Sequence, residues 1–327
     1  MKKVFTAIVA AMLVSSASYA GDLSSMMRAQ AQPDITISLG CGTAGKANCG
    51  TVVQRLSAET TTSGVNLEAF TSKGSVESAV GVCIEAINGA VGQRDAFDYV
   101  TKTSPTLDRS LPPFGCANKF HLVGSPVYPY YGYLVARSDA SFSSIQGIVR
   151  SAKPGKFMEI SGGEIGSGGQ VTINNILNGN PEWKTSIHIV SLDKNESMRA
   201  LDSGKIDAFL IMDGPQSETI KAIREAKDKD SGKELYKFVE IDLSNSFYRK
   251  SVDWSGQPLY YEQKIPVAGL LNSDKTTIAT DAVVIVGQKF YSSNKTPVTT
   301  LELATDKAQS PIRADLSVPM SWSSTNR

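Results

Sequence analysis

Along the chain the spacing of apolar positions switches back and forth between two and about three and a half residues. Ile35-Thr36-Ile37-Ser38-Leu39 alternates apolar with polar and is rich in β-branched residues, which predicts a strand. It runs into the glycine-rich turn Gly40 to Gly45. Asn48 is placed to cap a helix carrying Val52, Val53 and Leu56 at helical spacing. Residues 65–70 form a second predicted strand. Gly74-Ser75 then opens a helix with Val76, Val80, Ile84 and Ile87 on one face. A short third strand, Ala90-Val91-Gly92, ends at the polar run Gln93-Arg94-Asp95. Strand, helix, strand, helix, strand is the alternation of a parallel α/β sheet.

The next stretch reads as a connector. Pro112, Pro113 and Cys116 fall in a loop, and residues 121–127 and 133–136 are predicted strands around a turn at 126–132. Residues 144–149 form a short helix. The alternation then restarts. A strand at 157–160 leads into Gly166-Ser167-Gly168-Gly169, and a helix follows with Val171, Ile173, Ile176 and Leu177 inward. Strands at 187–190 and 206–212 and helices at 195–201 and 216–227 complete a second unit. It copies the organisation of the first without repeating its sequence. The charge run 227–233 is a solvated turn, 235–243 holds another strand, and 265–270 and 282–286 are apolar, with 276–280 leading into the last. After residue 317 the chain is a loosely held polar tail.

The first twenty residues do not belong to this pattern. Lys2 and Lys3 precede an apolar run at 4–14, and Ser18-Tyr19-Ala20 fits a small-x-small cleavage site before Gly21. The run is too short to span the ~30 Å core of a bilayer as a helix. Residues 1–20 are therefore read as a cleaved signal peptide, and the mature protein as soluble and periplasmic. The 327-residue chain has 33 Lys+Arg against 32 Asp+Glu, a net charge of +1. Losing two lysines brings the mature chain to −1. That balance excludes a polybasic nucleic-acid binder. Two histidines leave little material for a metal site, and no metal or cofactor is expected. Export makes the even set Cys41, Cys49, Cys83 and Cys116 a disulfide framework. Three pairings are open. Cys41–Cys49 and Cys83–Cys116 are favoured because each closes a loop containing glycine or proline. Cys83 also lies at helical spacing with Val76, Val80 and Ile87, as a core residue would.

Two parallel α/β units place glycine-rich loops at the carboxyl ends of their strands, where open α/β sheets bind ligands. Two such units face to face make a cleft that closes by hinge motion. Here the sequence resembles the type 2 periplasmic solute-binding proteins, and among them the TAXI receptors of TRAP transporters. The resemblance is carried by residues 35–45, by Ala90-Val91-Gly92-Gln93-Arg94-Asp95-Ala96 and by Gly166-Ser167-Gly168-Gly169. It is carried also by the helix–Ser-Gly–strand segment 198–208, and by 265–269 followed by 280–284. Lys46-Ala47-Asn48-Cys49 stands where TAXI receptors carry aromatic residues. The resemblance implies a two-lobed α/β fold of two parallel or mixed sheets with a hinge and a central cleft. Lobe one is then residues 21–125 plus 255–327, and lobe two residues 130–250. It implies a monomeric, non-enzymatic receptor that captures a small anionic solute and delivers it to membrane transporter subunits. A phosphate- or phosphonate-type ABC receptor, a receptor reporting to a membrane sensor and an exported hydrolase are the competing readings.

The candidate ligand contacts follow from chemistry. At Gly166, Ser167, Gly168 and Gly169, helix-start N–H groups attract a carboxylate or phosphate, and Ser167 adds a hydroxyl. Gly42, Thr43, Ala44 and Gly45 occupy the matching place in lobe one. Gly40-x-Gly42-x-x-Gly45 has the form of a dinucleotide fingerprint, which export argues against. Gln93 and Arg94 follow a strand end, and a guanidinium can hold a carboxylate bidentately; an ion pair, for instance with Asp95, competes. Tyr128, Tyr130 and Tyr131 surround Pro129 near the expected hinge, where some could line the cleft; core or rim packing competes. Asp213, with Gln216, ends a lobe-two strand and could equally cap the next helix. His121 and His188 lie within strands and read as structural. No catalytic residue is assigned: Gly166-Ser167-Gly168 is not a nucleophile elbow, and neither histidine is placed as a base.

Overall fold

The computed structural model describes residues 34–42, 46–102, 115–153, 155–214, 217–265 and 275–316. Residues 1–20, the end of the glycine turn at 43–45, Pro112 and Pro113, Gln216, residues 266–270 and the tail from 317 lie outside them.

The first unit is built as its periodicity requires. Strand β1 (Ile35–Gly42) pairs in parallel with β2 (Val65–Ser72) and β3 (Gly89–Gln93). Between them lie α1 (Lys46–Thr60) and α2 (Ser75–Cys83), whose apolar faces, Val52, Val53 and Leu56 or Val76, Ala79 and Val80, are buried. The polar run after β3 is the opening of a third helix, α3 (Arg94–Lys102), in which Ala96, Phe97 and Val100 face the core. The second unit repeats the scheme. Strand β7 (Ala208–Asp213) pairs in parallel with β5 (Met158–Ser161), and β5 in turn with β6 (Ile187–Val190). Its helices are α4 (Ile145–Ser151), α5 (Gly168–Gly179), α6 (Lys194–Asp202) and α7 (Glu218–Glu225).

Two long antiparallel strands join the units. β4 (Phe120–Arg137) and β10 (Thr276–Gly287) pair with each other, giving the order β2-β1-β3-β10-β4-β7-β5-β6. β10 lies against β3 through residues 282–286, and β4 against β7 through residues 131–136. Short strands β8 (Tyr236–Val239) and β9 (Tyr261–Lys264) add to the far ends of β4 and β10. A six-residue helix, α8 (Asn245–Lys250), leads to β9.

Two expectations fail here. The turn at 126–132 does not exist: β4 runs through it as one strand, and residues 127–136 are all buried. Pro129, which lacks an N–H, sits opposite Asp281 beside a register shift in β10 between Ala282 and Val284. Gly132 marks a close approach, since a β-carbon there would come within 2.7 Å of Ile278 Cγ2. The second failure is an omission. After a short helix α9 (Gln288–Ser293), α10 (Lys295–Asp315) runs 21 residues and buries Val298, Leu301, Ala304, Ala308 and Ile312 against β4 and α1.

Both favoured disulfides are formed. Cys41–Cys49 ties the end of β1 to α1, and Cys83–Cys116 ties the end of α2 to the segment before β4. All four are also buried, so Cys83 is a core residue as well as a bridge. Among the described residues no helix is long and apolar enough to cross a membrane.

Candidate functional site

The two units touch across a cavity of about 210 Å³ at the carboxyl ends of their strands. That is smaller than the ~300–1,000 Å³ typical of clefts for drug-sized ligands, so the space suits a compact solute. Three helices begin at its wall, each of eight residues or more. α2 starts at Gly74, whose extended backbone brings no capping side chain. α5 starts at Ser167, whose Oγ accepts the Gln170 N–H at 3.3 Å. α6 starts at Asp193, which forms a reciprocal capping box with Glu196. Helix N-termini carry unpaired N–H groups and a positive dipole end, so the wall favours acceptor oxygens.

The units approach each other closely at two places. A β-carbon on Gly74 would lie 3.0 Å from the Gly166 carbonyl oxygen and 3.2 Å from Ser167 Cα. A β-carbon on Gly168 would fall 1.3 Å from Gln93 Oε1, so the Gln93 amide occupies the place a side chain would take. Gly169 is also fixed as glycine, because a β-carbon there would meet the Gly162 carbonyl oxygen at 2.6 Å. Gln93, a cavity-lining residue, is 3% exposed; its backbone N–H is held by Ser75 Oγ at 3.2 Å, and its Nε2 is fully buried without a hydrogen-bond partner in the protein.

Of the predicted contacts, Gly42, Gln93, Ser167, Gly168 and Gly169 line this cavity. Gly166 lies just outside its lining, at the approach to Gly74, with φ +88. Thr43, Ala44 and Gly45 lie outside the described residues. Three predicted side chains are committed elsewhere. Arg94 is buried and pairs with Asp253 at 2.8 Å and Asp281 at 3.6 Å, rather than with Asp95 or the cavity. A buried guanidinium needs a fixed anion, and two are supplied. The Tyr128 hydroxyl donates to Tyr130 Oη at 2.9 Å and stays behind it; Tyr130 lines the cavity and keeps its own O–H to donate. Asp213 accepts from Gly214 N at 2.8 Å and Ser217 Oγ at 2.6 Å, the latter itself the cap of α7. Burial pushes the Asp213 carboxyl up to about 6 against those bonds.

Of the three tyrosines weighed near the hinge, Tyr130 and not Tyr128 lines the cavity; sequence reasoning missed Lys73, the α6 start and the floor formed by residues 209–212. The signal for Lys73 and Gly74 was present, because strand–Gly–helix order repeats at 72–75 what is seen at 161–169. The charges at the wall are mixed: Lys73 and Lys194 against Glu164 and Asp193. Lys194 Nζ donates to Thr219 Oγ1 at 2.5 Å. Neither histidine reaches the cavity. His121 bonds Glu302 at 2.7 Å and stacks on Tyr291, and His188 bonds Glu159 at 2.8 Å.

No family model matches the chain, and no curated protein matches it either. Solved structures do. MatC from Rhodopseudomonas palustris, solved with bound malate, is 17% identical, with 87% of this chain and 88% of that one aligned at a TM-score of 0.50. XAC2383 from Xanthomonas citri, solved bound to ATP, is 9% identical, with 86% of each chain aligned at a TM-score of 0.50. The periplasmic sulfonate-binding protein SsuA from Methylobacillus flagellatus is 15% identical over 90% of this chain and 76% of that one, at 0.48. The likeness at 0.50 is one of fold: a mixed α/β architecture of two lobes joined by crossing strands.

Proposed function

We propose that the protein is an extracytoplasmic receptor that captures a small solute between its two lobes and delivers it to a membrane transporter. The observation that carries the reading is the cavity at which three helix N-termini and the buried Gln93 amide converge from opposite lobes. Such a site binds and encloses; among its described residues there is no nucleophile–base pair. Ser167, its hydroxyl at the wall, caps α5, and neither histidine lines the space. We read the protein as a carrier and not an enzyme.

In this reading lobe one comprises residues 21–125 and 255–327, lobe two residues 130–250, and β4 and β10 form the hinge. The solute carries an anionic group at the start of α5, where a helix N-terminus presents backbone N–H donors. The affinity with TAXI receptors belongs to the same proposal, and so does a monomeric state. Two closed disulfides suit an oxidising compartment, in keeping with export through residues 1–20.

The test is to purify the exported protein, denature it and identify any released small molecule by mass spectrometry. In parallel, thermal shift is measured with small carboxylates (malate included), sulfonates, phosphonates and phosphate. A ligand at 100 times its Kd should stabilise by about 2.7 kcal/mol, a shift of several degrees. Turnover of ester or phosphoester substrates, or a cationic ligand, would overturn the reading.

A further inference from the structure

We propose that the solute carries a peptide-like amide beside its anionic group, and that the open edge of β7 pairs with that amide as a neighbouring strand would. The inference rests on the receptor reading and adds to it the chemical class of the solute.

Phe209, Leu210, Ile211 and Met212 are consecutive in β7, and all four line the cavity. Successive side chains of a strand leave on opposite faces. Here they do: Leu210 and Met212 pack in one apolar core, Phe209 and Ile211 in another. A cavity bordered by all four therefore meets the strand along its edge, not on a face. One edge of β7 is taken by β4 from Ala208 to Asp213. The other is taken by β5, whose last pair is Ser161 with Phe209. There β5 ends, and Gly162 and Gly163, the next residues, line the same cavity. A strand residue turns its N–H and C=O to one neighbour, and the next residue turns both to the other. Of Leu210, Ile211 and Met212, at least one thus turns both groups to the side that β5 has left.

A strand edge of this kind recognises an extended amide by main-chain pairing. The start of α5 abuts it: a β-carbon on Gly169 would lie 3.3 Å from the Leu210 carbonyl oxygen. An amide N–H meets the edge carbonyl, the amide carbonyl meets the edge N–H, and a carboxylate on the same short molecule reaches the helix start. A carboxylate alone brings acceptors only, and leaves the edge carbonyl without a donor at a cost in affinity. Small N-acyl amino acids and dipeptides combine both groups at a size suited to about 210 Å³. The free amine of a dipeptide has Glu164 and Asp193 at the wall to meet it.

The experiment uses defined probes. The protein is freed of solute by unfolding in guanidinium with disulfides intact, dialysis and refolding, which circular dichroism and a thermal melt verify. It is titrated calorimetrically with N-acetylglycine, N-acetylalanine, glycylglycine and alanylglycine. The two N-acetyl compounds are set against acetoxyacetate and O-acetyllactate, in which an ester oxygen replaces the N–H and the carboxylate stays. An N-acetyl probe should bind about ten- to hundredfold more tightly than its ester. Hydrogen exchange of residues 208–213 should slow with a bound amide probe and not with an ester. Stronger binding of the dipeptides points to a peptide solute and stronger binding of the N-acetyl compounds to an acylated one, and either supports the inference. Equal binding of amide and ester overturns it, as does exchange in β7 unchanged by a bound amide probe. A solute released from the exported protein that has no amide also overturns it, and leaves the receptor reading standing. No released solute and no binding of any probe, simple carboxylates and phosphate included, overturns both.

Discussion

Arg94 and Gln93 are neighbours in sequence with opposite roles in the structure. Both looked like ligand contacts, because both follow a strand end beside a glycine-rich loop. What separates them is the partner each finds far along the chain. Arg94 meets Asp253 and Asp281, 159 and 187 positions away, and no local pattern announces that meeting. Gln93 meets a glycine, and its donor finds nothing. The difference is testable. Arg94→Met leaves Asp253 and Asp281 buried beside no guanidinium, and removing one partner of a buried ion pair costs about 3–5 kcal/mol. Urea denaturation should therefore show a large loss of stability. An unchanged midpoint with weakened solute binding would return Arg94 to the cavity.

At the scale of elements, regular period was readable and context was not. The β-α alternation of both units was visible because the inner parallel strands β3 and β7 are buried throughout and each helix buries one face. β4 misled because Pro126, Pro129 and Gly132 are turn residues by local chemistry. Burial between β10 and β7 overrides them, and Gly132 is required by the nearness of Ile278. α10 was legible in principle, since Val298, Leu301, Ala304, Ala308 and Ile312 repeat at helical spacing. The bridges hold these elements in place, and their loop lengths rank them. In the chain-entropy account, closing 8 residues of separation contributes about 2.5 kcal/mol and closing 33 about 3.7 kcal/mol. Replacing Cys83 and Cys116 with alanine should thus lower the urea midpoint more than replacing Cys41 and Cys49. The reverse order would mean that packing at the end of β1, next to the cavity, outweighs chain entropy.

For the molecule as a whole, the decisive contacts are those between lobes, and one of them titrates. Asp95, in α3 of the first unit, is fully buried and accepts from Thr172 Oγ1 at 2.6 Å, from the Tyr260 hydroxyl at 2.7 Å and from Ala96 N at 2.9 Å. Thr172 belongs to α5 of the second unit, as does Asn175, which donates to Tyr260 Oη at 2.8 Å. Burial pushes the Asp95 carboxyl up to about 6, the hydrogen bonds oppose that shift, and Asp98 nearby adds to it. Asp213 is raised to about 6 for the same first reason. In the unfolded chain both return to about 3.9. Between those values the folded protein binds more protons than the unfolded one, so its stability falls as pH rises. The contribution is complete below about pH 4 and is lost as pH passes through about 6. Each carboxyl accounts for on the order of 2–3 kcal/mol at most. Asn at either position keeps an acceptor oxygen and cannot ionise. Asp95→Asn and Asp213→Asn should each flatten the fall in melting temperature between pH 4.5 and 7.5, and the double variant should flatten it most. The check is calorimetry across that interval at constant ionic strength. A wild type whose melting temperature rises from pH 4.5 to 7.5, or an Asp95→Asn variant with the wild-type slope, would show that the carboxyl joining the lobes stays ionised in the folded protein.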